Sequence, residues 1–343
     1  MGQRLSSLLG WIERLQEEKQ VTLEEGWELM PVSGDASFRR YFRVVSGQMS
    51  WIAVDAPPEK ENSEAFIRIA RAWRQAGVNV PEVIHTDLEQ GFMLLEDFGD
   101  TLFLGALTAE SVDSLYREAL AELHLIQRCP EAGLPLYDKQ LLLQEMALFR
   151  DWFVGDLLSL PLQKDESDLL DRIQDLLVAN ALAQPQVVVH RDYHARNLMI
   201  CGRHTPGVID FQDAVVGPVT YDLASLLRDC YIRWLDEDVY RWVASFRDEL
   251  IQQGVLDTQV SYEQFVRWFD LMGMQRHLKA IGIFSRLSRR DNKHGYLLDI
   301  PRTLGYVVDV ANKYAEFAPF SEWLKRRVLP ELNQRPTLFG QSI

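Results

Sequence analysis

Residues 187–213 constrain this chain more than any other stretch. Three β-branched residues, Val187-Val188-Val189, run into His190-Arg191-Asp192 and read as a strand delivering a polar loop. Asn197 follows, and a short apolar run, Leu198-Met199-Ile200, leads into a turn between Gly202 and Gly207. A second run, Val208-Ile209, delivers Asp210-Phe211-Gln212-Asp213. The order is strand, loop, hairpin, with an acid or amide at the end of each apolar approach.

That order has chemical meaning. An Asp in the position of Asp192 can accept a proton from a substrate hydroxyl. Asn197 and Asp210 offer hard oxygen ligands, which Mg2+ prefers while keeping part of its shell from phosphate and water. The same succession of His-Arg-Asp, Asn and Asp-Phe forms the catalytic loop and metal site of kinases. The competing reading is a polar loop with incidental acids, and the completeness of the constellation weighs against it. Gln212 stands where protein kinases have the Gly of D-F-G, and Ala195 lies inside the loop. With His194 two residues after Asp192, the loop resembles those of the small-molecule kinases related to aminoglycoside phosphotransferases and choline kinases. A third segment, Val216-Gly217-Pro218-Val219-Thr220-Tyr221-Asp222-Leu223-Ala224, resembles the family's helix beneath that loop. The resemblance implies that Asp222 and His190 brace the loop. By itself Asp222 reads equally as a first-turn acid favoured by the helix dipole.

At 343 residues, two lobes are expected rather than one domain. No apolar run approaches the roughly 20 residues that span a bilayer. The first residues turn charged too early for a signal peptide and read as a helix, with Leu5, Leu8, Leu9, Ile12 and Leu15 on one side of residues 5–19. Cys129, Cys201 and Cys230 lie far apart, which suits a reducing cytoplasm and argues against a structural zinc site. A net charge of −14 argues against nonspecific binding to nucleic acid or anionic membrane.

In chain order, residues 29–45 read as a hairpin with a small-residue tip, Ser33-Gly34-Asp35-Ala36-Ser37, whose backbone N–H groups can approach phosphate. An ordinary hairpin turn is the alternative. Residues 50–55 form the third strand, and Asp55 stands where kinases carry a phosphate-pairing Lys. Either Arg39, Arg40, Arg43 or Lys60 then replaces it, a hairpin Arg being favoured, or the nucleotide is held mainly by metal. A helix over 61–77, capped by Asn62 or Ser63, carries Glu64 in its first turn. Strands over 80–87 and 91–99 follow. The second ends at Glu96-Asp97-Phe98, expected to be the hinge whose backbone meets the adenine edge. Thr108 is expected to cap a long helix through Ile126, with His124 a core or boundary residue. Residues 137–184 read as helical, broken at Pro161 and by Lys164-Asp165-Glu166, and the chain reads as helical from Asp222 to the end. Between Leu271 and Gly305, seven basic residues face two acids in a chain that is acidic overall. The choice is between a solvated helix face and a pocket wall for an anionic or polar substrate, where Arg suits a carboxylate.

These segments, with Gly34 to Tyr41, Asp55-Ala56-Pro57-Pro58, Gly282 to Leu287 and Ile300-Pro301-Arg302, resemble one branch of the aminoglycoside phosphotransferase superfamily. That branch contains the anomeric kinases of N-acetylmuramate and N-acetylglucosamine in bacterial cell-wall recycling. The resemblance implies an α+β, two-lobed, protein-kinase-like fold. Residues 1–99 would form a small antiparallel-sheet N-lobe with helices, and 100–343 a larger, mostly helical C-lobe. It implies ATP and Mg2+ as cofactors, an amino sugar as substrate, a cytoplasmic monomer, and phosphorylation of the C1 hydroxyl. Asp192 would be the base, and Asn197 and Asp210 the metal ligands. Ser33 to Ser37, Arg43, Glu96, Asp97 and Phe98 would hold the nucleotide. His194, Arg196, Asp213, Arg286, Arg289 and Arg302 would meet the sugar. The Asp-Ala-Pro-Pro segment makes the missing Lys a feature of the branch. The alternatives are the same chemistry on an aminoglycoside, choline or homoserine, which predicts an acidic pocket, and a nucleotide-binding regulator without turnover.

Overall fold

The computed structural model describes residues 2–32, 38–131, 133–202 and 205–340. The proposed phosphate-covering tip, Ser33 to Ser37, lies outside the described residues. The chain gathers into two compact units, Met1–Leu125 with Asn197–Gln212, and Ile126–Arg196 with Asp213–Ile343.

The first unit is built on a five-stranded antiparallel sheet. Its strands β1 (Glu28–Pro31), β2 (Arg40–Ser46), β3 (Met49–Asp55), β4 (Val83–Asp87) and β5 (Phe92–Glu96) take the spatial order β1-β2-β3-β5-β4. Helix α1 (Gln3–Glu17) buries Leu8, Trp11, Ile12 and Leu15 at helical spacing. These residues share a core with Phe42, Val44, Ala53, Phe92 and Leu94. The pairs 42/44 and 92/94 alternate along their strands, so each pair points to one face. Fully burying a side chain of this size contributes roughly 1.5–3 kcal/mol. Asp55 closes β3 and is fully buried. Its carboxylate accepts Arg4 Nε at 2.8 Å and Arg40 Nε at 3.0 Å. The acid standing in place of a strand Lys therefore ties α1 to the sheet.

Helix α2 (Ser63–Gln75) starts where the Asn62 side chain accepts the Ala65 N–H at 3.0 Å. From it Phe66 and Trp73 reach Phe211, with ring centroids 4.9 and 5.7 Å away. After α3 (Phe103–Ala106) comes α4 (Val112–Gln127), with His124 buried. Thr108 lies ahead of α4, and its hydroxyl accepts the N–H groups of Glu110 and Ser111 at 3.2 Å. The expected hairpin after the catalytic motif is present, pairing Leu198–Met199 with Gly207–Val208.

In the second unit, α5 (Lys139–Leu148) passes into a wider π-helical stretch, Phe149–Leu157. Helix α6 (Lys164–Leu182) follows, so Lys164-Asp165-Glu166 opens a helix and does not break one. The two acids suit the positive N-terminal end, and Glu166 accepts the Gln163 N–H at 2.9 Å. Strand β6 (Gln186–Val189) pairs antiparallel with Val215–Pro218. Helices α7 (Tyr221–Leu227), α8 (Asp236–Gln252), α9 (Tyr262–Asp291) and α10 (Ile300–Lys313) follow. Residues 228–235 are not helical, an interruption hidden in a segment read as continuous helix. None of the described helices is long and apolar enough to cross a membrane.

Helix α9 is the axis of this unit, touching α5, α6, α7, α8, α10 and the π-helical stretch. A helix surrounded in this way buries nearly every face, Arg276 and Lys279 included. Gly282 allows its closest approach. A Cβ there would lie 2.4 Å from the Leu148 carbonyl carbon and 2.6 Å from the Phe149 nitrogen. Backbone atoms cannot step aside as a side chain can. Gly282→Ala should therefore destabilise by on the order of 1–2 kcal/mol, despite the better helix propensity of Ala. A thermal melt checks this, and an unchanged or raised Tm would refute so close a contact.

Candidate active site

The buried valines of β6 deliver His190 to a loop held from beneath by two carboxylates. Asp222, in the first turn of α7, accepts the N–H of His190 at 2.6 Å and of Arg191 at 3.0 Å. Asp229, in the non-helical segment after α7, accepts the N–H of Ala195 at 2.9 Å and of Tyr231 at 2.9 Å. The loop is thus clamped on both sides of Asp192. Burial pushes Asp222 up to about 7 against its two N–H donors. It pushes Asp229 up to about 6 against the same kind of opposition. Within the loop, the Asp192 N–H donates to His190 Nδ1 at 3.2 Å, and the His194 N–H donates to the Asp192 carbonyl at 3.0 Å. Arg191 adopts a left-handed φ of +76°, uncommon for a side chain of its size. Such strain is characteristic of functional loops that the surrounding fold over-determines.

Below the loop lies a buried charge cluster. Glu145 on α5 is paired with Arg191, forms a second ion pair with Lys279 Nζ at 3.1 Å, and receives the Tyr137 hydroxyl. Lys279 also donates to the Tyr221 hydroxyl at 3.0 Å, and Gln275 to the Tyr137 hydroxyl at 3.1 Å. Arg276 reaches Cys230 Sγ at 3.6 Å. The cluster sets the electrostatics of Asp192. Burial pushes its pKa up, but nearby positive charge, that of Lys279 foremost and of Arg276 with it, outweighs that and lowers it to about 2. The carboxylate is therefore ionised at neutral pH and able to orient or accept a proton. Burial, with Arg276 next in size, lowers His194 to about 3, so this imidazole is neutral.

The first unit carries the other expected pair. Asn197 Nδ2 donates to Asp210 Oδ2 at 3.3 Å, and the Ile209 N–H donates to the Asn197 carbonyl at 3.1 Å. Gln212 Nε2 donates to Asp210 Oδ1 at 2.6 Å. Thus the residue in place of the D-F-G glycine fixes the neighbouring carboxylate. Asp210 has a φ of +66°, the second strained residue of the motif. Phe211 is buried against α2 as described above. Among the described residues no cluster of three or more His, Cys, Asp or Glu side chains could hold a metal ion. A carboxylate beside an amide nevertheless fits Mg2+, which needs few protein ligands when phosphate and water supply the rest.

At the expected hinge, Glu96 accepts Arg74 at 3.0 Å. Asp97 accepts Arg43 Nε at 2.6 Å and the Gly99 N–H at 2.9 Å. Burial would raise the Asp97 pKa, but these hydrogen bonds, Arg43's foremost, lower it overall. Phe98 lies so close to Gly207 that a Cβ there would come within 2.6 Å of its ring. The cations weighed as a Lys replacement are all engaged. Arg39 pairs with Glu61, Arg40 with Asp55, and Arg43 with Asp97 and Asp100, while Lys60 lies 4.3 Å from the centre of the Phe38 ring.

The basic run of α9 and α10 divides. Arg276 and Lys279 are buried, whereas exposed Arg289 pairs with Asp156 at 2.7 Å. Arg302 donates to the Cys230 carbonyl at 2.8 Å and to Asp299 at 3.0 Å. Arg286 is half-buried, and burial followed by Arg290 lowers its pKa. Asp213 is exposed, and its carbonyl accepts Arg191 at 3.2 Å. Arg196 lies over the Tyr231 ring, 4.6 Å from its centre. Asp229, Glu145, Arg276 and Lys279 were not singled out from sequence as site residues. For Arg276 and Lys279 the available signal was their place in the basic run between Leu271 and Gly305.

The family model described as the phosphotransferase enzyme family matches residues 28–259. The chain belongs to this phosphotransferase family. A kinase of Pseudomonas aeruginosa described as N-acetylmuramate/N-acetylglucosamine kinase is 42% identical over 328 residues, covering 94% of this chain and 96% of that protein. A Neisseria meningitidis protein of the same description is 40% identical over 323 residues, covering 92% and 94%. One from Caulobacter vibrioides is 27% identical over 343 residues, covering 87% and 91%. Among solved structures, the phosphotransferase resembles ethanolamine kinase of Plasmodium vivax, with a TM-score of 0.62 at 13% identity over 87% of this chain and 85% of that one. It also resembles the GDP complex of aminoglycoside 2'-phosphotransferase-IIIa, with a TM-score of 0.58 at 16% identity over 89% and 99%. The fold is therefore kinase-like, an antiparallel five-stranded sheet unit with a largely helical unit, as the motif led us to expect.

Proposed function

We propose that this phosphotransferase uses ATP to phosphorylate the C1 hydroxyl of N-acetylmuramate and N-acetylglucosamine, giving α-1-phosphates. The observation that carries this reading is identity of 40% or more, over at least 92% of the chain, to kinases named for those two sugars. The site chemistry supports it. Asp192 orients and deprotonates the anomeric hydroxyl, which is more acidic than an ordinary alcohol. Asn197 and Asp210 hold Mg2+, which when bound neutralises charge on the phosphates. Residues 1–99 serve as the nucleotide-covering lobe, where Ser33 to Ser37, Arg43, Glu96, Asp97 and Phe98 meet ATP. Arg43 there acts with the two acids it is paired to. Residues 100–343 serve as the catalytic and sugar lobe, where His194, Arg196, Asp213, Arg286, Arg289 and Arg302 surround the acceptor. His190 and Asp222 keep the loop in register. Catalysis rests on positioning and electrostatics. The enzyme acts as a cytoplasmic monomer, and its product feeds uridylylation in cell-wall recycling. That route bypasses de novo synthesis of UDP-N-acetylmuramate and lowers sensitivity to fosfomycin.

Phosphorus NMR of the protein with ATP, Mg2+ and each sugar tests this directly. A new anomeric sugar-phosphate signal is expected with both sugars. A C6 phosphate would keep the kinase and overturn the C1 assignment. No product from either sugar, with ATP binding intact, would overturn the sugar-kinase reading in favour of another acceptor or a regulator.

A further inference from the structure

We propose that Arg196, inside the catalytic loop, is the residue that recognises the carboxylate of an acidic sugar and so separates N-acetylmuramate from N-acetylglucosamine. This rests on the sugar-kinase reading above and assigns the discrimination to one side chain. The two sugars differ by the lactyl ether on C3, which carries the only carboxylate. Discrimination between them therefore needs a cation near the base that is not already neutralised.

Arg196 meets that requirement. It is exposed, four residues along the loop from Asp192. Among the described residues no carboxylate lies within ion-pair distance of it, although its charge reaches Asp299, which is itself paired with Arg302, whereas Arg191, Arg289 and Arg302 each have an ion-pair partner. Its guanidinium lies over two rings, 4.6 Å from the centre of Tyr231 and 5.9 Å from that of Tyr296. Both rings are themselves supported. Tyr296 stacks on Phe284 at 5.5 Å, and Tyr231 meets His194 edge-on at 5.4 Å. A guanidinium held against aromatic faces keeps its charge and its planar fork of N–H donors, the geometry that binds carboxylates bidentately.

The backbone makes this arrangement rigid. One buried carboxylate, Asp229, accepts both the Ala195 N–H, immediately before Arg196, and the Tyr231 N–H. The main chain that carries the cation and the ring that supports it therefore share one anchor. A sugar whose C1 hydroxyl meets Asp192 could direct the C3 branch along the loop towards Arg196. Of the basic residues of α9 and α10, Arg276 and Lys279 are buried and Arg289, Arg290 and Arg302 are already paired, which leaves half-buried Arg286, without an ion pair among the described residues, as the competing cation.

The test is steady-state kinetics of wild type, Arg196→Met and Arg196→Lys with both sugars, read as the ratio of kcat/KM for N-acetylmuramate to that for N-acetylglucosamine. A loss common to both sugars cancels in this ratio. For Arg196→Met the ratio should fall by about 10- to 100-fold, the range for a charge-assisted hydrogen bond, mainly through KM for the acidic sugar. Arg196→Lys, which keeps the charge without the fork, should recover part of it. An unchanged ratio in Arg196→Met, with both sugars slowed equally, would overturn the inference and leave the sugar-kinase reading standing. If wild type turns over neither sugar, the parent reading fails and this assignment fails with it.

Discussion

Asp192→Asn is expected to lower kcat by about 10³-fold, within the 10²–10⁴ range of a positioned general base. The amide keeps the size of the side chain but cannot accept a proton from a hydroxyl. Asp192 suits the role because its charge is secured by its surroundings. Burial alone would raise its pKa, yet the positive charges of Lys279, foremost, and Arg276 bring it down to about 2. It is therefore ionised throughout the range in which the protein would be assayed. A group of so low a pKa is a weak base in the ground state, so the contribution expected of it is chiefly orientation of the hydroxyl. Calorimetry should find ATP affinity in the variant within a few-fold of wild type. Turnover near the wild-type rate would remove Asp192 from catalysis.

Glu145→Ala should produce the largest loss of stability, about 3–5 kcal/mol, because it strands two cations in a buried site. Glu145 faces both Arg191 and Lys279, and all three side chains are largely buried. Its own pKa is lowered, since Lys279 and Arg191 overcome the effect of burial. Taking away the acid exposes the desolvation cost of both bases at once. Arg191 lies next to Asp192, so activity should fall together with stability. Adding Lys279→Met to Glu145→Ala should restore part of the loss, because one stranded charge is then gone. Denaturant unfolding of the two single variants and the double variant measures this coupling. Strictly additive losses would show that Glu145 and Lys279 do not act as a pair.

Much of the fold could be read before the structure because its signals are local. Leu8, Ile12 and Leu15 mark a buried helical stripe, and Asn62 marks a helix start, through contacts a few residues apart. The hairpin between Asn197 and Asp210 follows from two apolar runs and the turn between them. Local misreadings also had local causes. Lys164-Asp165-Glu166 was read as a break on polarity alone, although acids in a first turn favour a helix. The non-helical stretch 228–235 has no Pro or Gly to announce it.

The sequence by itself determined the motif: an acid, an amide and a second acid, in a fixed order on a strand, a loop and a hairpin. Covalent spacing alone keeps those residues together, so no distant partner is needed to recognise them. Tertiary structure alone decided what each charge does. Asp55 became a tether when Arg4, 51 residues away, folded onto it. Arg43, weighed as a phosphate partner, is matched by Asp97, 54 residues away. Asp229 became the second anchor of the loop by meeting Ala195, 34 residues back. Lys279 and Glu145 form one ion pair from two helices distant in sequence. Electrostatic roles depend on distance and burial in space, and the linear order of a chain carries neither.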